Sequence, residues 1–139
     1  MATDPKGEPF SIRLSRSTEL LVADEARRTR RSKGAIVEAF TEEAARVRRF
    51  PGIGSRGDDF RRGAWMIGTG LDVWEVIEML EGFGDAERLE RESQPTAAQI
   101  RLAVAYREAY PDEIEAALAE NDRPLDELLT LHPFIETLG

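Results

Sequence analysis

The chain contains no cysteine and a single histidine, His132. Disulfides and thiolate zinc sites are thereby excluded, and a histidine-ligated metal is short of ligands. Hydrophobic residues make up 41% and charged residues 33%, which suits a helix-rich protein with small cores. Neither an 18-residue apolar run nor a signal-peptide pattern is present. That predicts a cytoplasmic protein without a membrane span.

What is present is charge, unevenly placed. The 139 residues suffice for one ordinary domain or two very small ones. Net charge is −8, but residues 1–50 hold eleven basic against eight acidic residues, a balance of +3. Residues 51–139 hold eight against nineteen, a balance of −11. Arg27, Arg28, Arg30, Arg31 and Lys33 form a dense basic cluster in the first part. The split predicts an N-terminal module that meets an anion and a C-terminal one that does not, its acidic run being a solvated face.

The first regular pattern is PFSIRLSRST, residues 9–18. Phe10, Ile12 and Leu14 alternate with Ser11, Arg13 and Ser15, the period of a half-buried strand. Ser15 then stands as an N-cap before a helix reaching about Thr29, and Ser32 before a second. The second helix carries Ile36, Val37, Phe40, Ala44 and Val47 on one face and ends near Arg49, because Pro51 and Gly52 follow. Residues 50–63, rich in glycine and charge, read as a linker, with a short strand over AWMIGTG beyond it.

Further on, Asp72 and Glu75 form a capping box before VWEVIEML, closed by Gly82. Asp85 opens a short polar helix. Thr96 and Gln99 make a second capping box, ahead of core candidates Ile100, Ala103, Val104 and Tyr106. Pro111 starts another helix that buries Ile114 and Leu118. Trp65 and Trp74 are expected in the core. The fold class is therefore mainly α. Four regions are predicted: 1–49, the linker 50–63, a small acidic helical domain over 64–120, and a tail over 121–139.

One strand and two helices rarely bury enough surface to stand alone. A second copy solves this, its strand pairing with the first in an antiparallel ribbon above four helices. Residues 8–49 resemble the ribbon-helix-helix family in this respect, over FSIRLS, STELLVADEARR and RSKGAIVEAF. Many members carry glycine between the helices, where this chain has Arg30. The resemblance implies a dimer core of Phe10, Ile12, Leu14, Ile36, Val37 and Phe40. Ser11 and Arg13 then face outward, where an arginine in a DNA major groove hydrogen-bonds guanine. Arg31, Ser32, Lys33 and Gly34 surround a helix N-terminus suited to a phosphate.

The stretch MIGTGLDVWEVIEMLEGFGDAERL, followed by QPTAAQIRLAVAYREAYPDEIEAAL, resembles the helical domain of unknown function 433, associated with VapB-type antitoxins. The likeness begins near Phe50-Pro51-Gly52-Ile53 and rests on Gly68-Thr69, Val73, Ile77, Ile100, Val104 and Tyr106. Family members often have arginine after Gly-Thr, where Gly70 stands here. It implies a trihelical, helix-turn-helix-like domain. Together the two resemblances imply a type II antitoxin. Such a protein represses its own operon by binding double-stranded operator DNA as a homodimer or higher oligomer. It also holds a protein toxin, commonly a PIN-type ribonuclease. Leu128, Leu129, Phe134 and Ile135, in an apolar chain end, are candidate toxin contacts; packing on the same domain or a dimer mate is the alternative. The competing function is a stand-alone dimeric transcriptional regulator whose acidic domain oligomerises or senses a ligand.

Other motifs lead nowhere. Gly52, Gly54 and Gly57 fit a dinucleotide-binding pattern, but no βαβ unit surrounds them. Asp58 and Asp59 lie on an expected loop, and His132 has no nucleophile placed beside it. The chain is expected to be no enzyme and to carry no cofactor or metal.

Overall fold

The computed structural model describes residues 4–58 and 61–121. The chain is mainly helical with one small antiparallel sheet. It forms two compact units whose boundary in sequence falls between Glu42 and Glu43. No described helix is long and apolar enough to cross a membrane.

The N-terminal unit is built on helix α1 (Arg16–Thr29) and the start of α2 (Lys33–Arg49). The Ser15 side chain accepts from the Thr18 N–H at 3.3 Å, and Ser32 from the Ala35 N–H at 3.1 Å. Both caps are the ones that the sequence signals, because a short hydroxyl side chain meets an orphan amide of the first turn. Between the helices, Arg30 takes the left-handed conformation at φ 57° and donates its N–H to the Ala26 carbonyl. An L-residue with a Cβ is held there at a cost of roughly 1–2 kcal/mol. The helix thus ends in the left-handed turn that glycine most often supplies at helix C-termini, here made by an arginine.

Residues 4–15 are not assigned to a strand, contrary to the period-2 expectation over 9–14. A strand exists only through its ladder, and no other described segment of this chain pairs with it. The alternation is left standing open, with Phe10 84% and Ile12 64% exposed.

The second unit departs further from expectation. Residues 50–63 are not a linker. Strand β1 (Ile53–Arg56) pairs antiparallel with β2 (Gly63–Met66), in the register Ile53↔Met66 to Arg56↔Gly63. Strand β3 (Leu71–Asp72) then adds to β2, giving the order β1-β2-β3. Glycine and charge made the segment look like a loop, yet Phe50 and Ile53 are buried members of the core. The turn after β1 needs glycine at 57: φ is +115°, and a Cβ would lie 2.2 Å from the Arg61 carbonyl oxygen.

Four helices follow, at the four starts the sequence signals, where the resemblance alone implied three: α3 (Val73–Phe83), α4 (Ala86–Glu92), α5 (Ala97–Ala109) and α6 (Pro111–Asn121). Glu75 accepts from the Asp72 N–H at 3.0 Å. Helix α3 ends at left-handed Gly84, one residue beyond its last turn, and Gly82 lies inside it. Asp85 caps α4 through the Glu87 N–H. Thr96 and Gln99 form the reciprocal box of α5, at 2.9 and 3.2 Å. Val76, Ile77, Leu89, Ile100, Ala103 and Ile114 draw the four helices onto the face carrying Met66 and Ile53. Val104, Leu118 and Trp74 pack around this core only partly buried.

Candidate functional site

The residues singled out for DNA contact and dimerisation lie on or beside α1 and α2. Among described residues 4–49, Val22 and Ile36 are the buried apolar side chains, at 4% and 0% exposure. Two such side chains make too small a core for a self-sufficient unit. In the same stretch Phe10, Ile12, Leu20, Leu21, Phe40 and Val47 are exposed large hydrophobics; the rest of the described chain adds only Ile67. Of the expected dimer core, Ile36 is therefore satisfied within one chain. Leu14 and Val37 are half-buried, and Phe10, Ile12 and Phe40 are open. On α2, Ile36, Phe40 and Val47 follow helical spacing along one stripe.

Ser11 and Arg13, the expected base contacts, are exposed. Around the α2 N-terminus, Ser32 is occupied in capping, Gly34 is exposed, and Lys33 lies 3.6 Å from Glu19. Arg31 is half-buried, and its Nε has no hydrogen-bond partner.

The basic cluster is largely compensated from within. Arg27 pairs with Asp24, and Arg28 pairs with Glu25 through Nη2 at 2.5 Å and Nε at 3.2 Å. Lys6 donates to both Glu38 oxygens at 2.8 Å. That hydrogen bond, then the Glu38 charge, raises the ammonium above its ordinary pKa. Arg13, Arg16, Arg30 and Arg31 have no carboxylate partner among the described residues. Within the N-terminal unit, residues 4–42, the uncompensated positive charge thus sits at the entry of α1 and in the α1–α2 turn.

No family model, curated protein or solved structure matches the chain.

The second unit holds a polar cluster that local sequence gives no hint of. Arg46, near the C-terminal end of α2, donates Nη1 to the Tyr106 hydroxyl at 2.9 Å and to Glu113 Oε1 at 2.8 Å. Tyr106 in turn donates to Glu113 Oε2 at 2.5 Å. The Arg46 guanidinium lies 3.9 Å above the Tyr110 ring, and Phe50 meets Tyr106 edge-on at 5.3 Å. Burial first, then the Glu113 hydrogen bond, pushes the Tyr106 phenol above its usual range. For Arg46, burial opposes the charge, but Glu113 and Tyr106 outweigh it and the pKa is raised. These partners are 60 and 67 residues apart in sequence, beyond any helical or strand period.

Two further arginines brace the sheet. Arg56 reaches Asp72 Oδ1 at 2.8 Å and lies 4.9 Å from the Trp65 ring, which is half-buried and not the core residue expected. Arg62 pairs with Glu43 and donates to the Gly57 and Ser55 carbonyls. Arg46, Arg56 and Arg62 are thus each engaged by groups of their own unit. The proposed toxin contacts Leu128, Leu129, Phe134 and Ile135 lie outside the described residues.

Proposed function

We propose that the protein is the antitoxin of a type II toxin–antitoxin system. It dimerises through a ribbon formed by residues 9–14 of two chains, binds operator DNA with Ser11 and Arg13, and neutralises a ribonuclease toxin, PIN-type by resemblance, through the acidic part. The observation that carries the dimer is the open apolar set Phe10, Ile12, Leu20, Leu21 and Phe40, on a unit with almost no core of its own. A second copy supplies both the missing strand ladder and the missing core. Arg30, already in the left-handed turn conformation, supports the same arrangement. The antitoxin half rests on the resemblance of residues 50–120, and on a −11 balance suited to a basic, RNA-cleaving partner. The role is non-enzymatic and cytoplasmic.

Affinity isolation of the full chain from its native source tests the reading. A ribonuclease should copurify, and its RNA cleavage should stop when the chain is added back. Recovery of no ribonuclease would remove the antitoxin assignment and leave a DNA-binding regulator. On operator DNA, Arg13→Ala should relax base preference at one position per half-site, by about 1–3 kcal/mol.

A further inference from the structure

The N-terminal unit places two arginines where local physics disfavours them. Arg16 is the first residue of α1, at the positive end of a 14-residue helix, where an acidic side chain is the stabilising choice. It is exposed and has no ion pair among the described residues. Arg30 is the one non-glycine residue with positive φ among those described, at a turn where glycine is the cheaper residue. It too is exposed and unpaired among them. By contrast Arg27, Arg28 and Lys33 each face a carboxylate of the same unit. A local cost retained at two positions, both ending in uncompensated positive charge, points to an external anion.

We propose that Arg16 and Arg30 contact the DNA phosphate backbone, and that they carry more of the electrostatic binding than the denser Arg27–Arg28 pair. The inference rests on the reading of this unit as a DNA-binding dimer, and it adds contacts that the strand and the α2 N-terminus do not supply. Phosphate contacts carry no sequence information, so mixed-sequence double-stranded DNA is a sufficient probe.

The test measures binding of the full chain to that DNA across a salt series, for wild type, Arg16→Gln, Arg30→Gly and Arg27→Gln. Taking away one arginine–phosphate pair should flatten the slope of log K against log[salt] by about 0.9, hence about 1.8 per dimer. That flattening is expected for Arg16→Gln and Arg30→Gly, and a clearly smaller one for Arg27→Gln. Thermal melting in parallel should show neither of the first two variants less stable than wild type, since each relieves a local cost. Wild-type binding with unchanged slopes in both variants would overturn the inference while leaving the DNA-binding reading intact. A lowered melting temperature for Arg30→Gly would overturn the premise that glycine is cheaper there. No binding by wild type at low salt would refute the DNA-binding reading, and this inference with it.

Discussion

Replacing Phe10 and Ile12 together by serine is the sharpest perturbation of the proposed dimer. Taking such a side chain from full exposure to full burial contributes about 1.5–3 kcal/mol. Scaled by the 84% and 64% they expose in one chain, and counted in two chains, the pair contributes about 4–9 kcal/mol to association. Since 1.4 kcal/mol is tenfold in affinity, the dissociation constant should rise at least about a thousandfold. Sedimentation equilibrium over a concentration series reads this directly. Circular dichroism should retain the helices of the second unit, whose core contains neither residue. A wild type that is monomeric throughout, or a double variant that dimerises as tightly as wild type, would refute the ribbon dimer.

Two perturbations address the second unit. Tyr106→Phe removes a hydroxyl that donates to Glu113 and accepts from Arg46, and should cost about 2 kcal/mol in urea denaturation at neutral pH. Its pH dependence carries a sign. The folded state holds the phenolic proton above the ordinary tyrosine pKa, so this contribution is complete below about pH 10 and is lost as pH rises toward the folded value. The alkaline decline in stability should therefore be shallower in Tyr106→Phe, and an identical decline would refute the assignment. Gly57→Ala forces a Cβ against the Arg61 carbonyl at positive φ and should destabilise by at least about 2 kcal/mol; an unchanged urea midpoint would show that the hairpin adopts another turn.

The legible parts of this fold are those whose cause is local. Ser15, Ser32, Asp85, Thr96 with Gln99, and Pro111 mark helix starts correctly, because a cap is decided within four residues. Residues 53–56 escaped because Ile-Gly-Ser-Arg shows no clear alternation, and what makes it a strand is pairing with residues 63–66. Gly82 misled because glycine is tolerated in a helix at a cost of about 1 kcal/mol, and the left-handed turn is at Gly84. Of the candidate site, the basic cluster was visible as composition. Which of its members are neutralised by Asp24, Glu25 and Glu19 depends on side-chain geometry that composition does not hold. The Arg46–Tyr106–Glu113 cluster depends wholly on tertiary contact.

Helix α2 runs unbroken from Lys33 to Arg49, and the residue after it, Phe50, is buried in the core of the second unit. Neither seam between the two units is therefore a neutral place to cut. Severing it after residue 49 divides Phe50 from the Arg46 whose neighbouring rings it packs among. Severing it between residues 42 and 43 breaks a helix in its middle. A gene fusion or exchange that treated the two halves as interchangeable cassettes would damage one of them at either seam. Either half expressed alone from these seams should therefore lose helix α2 or the packing around Phe50.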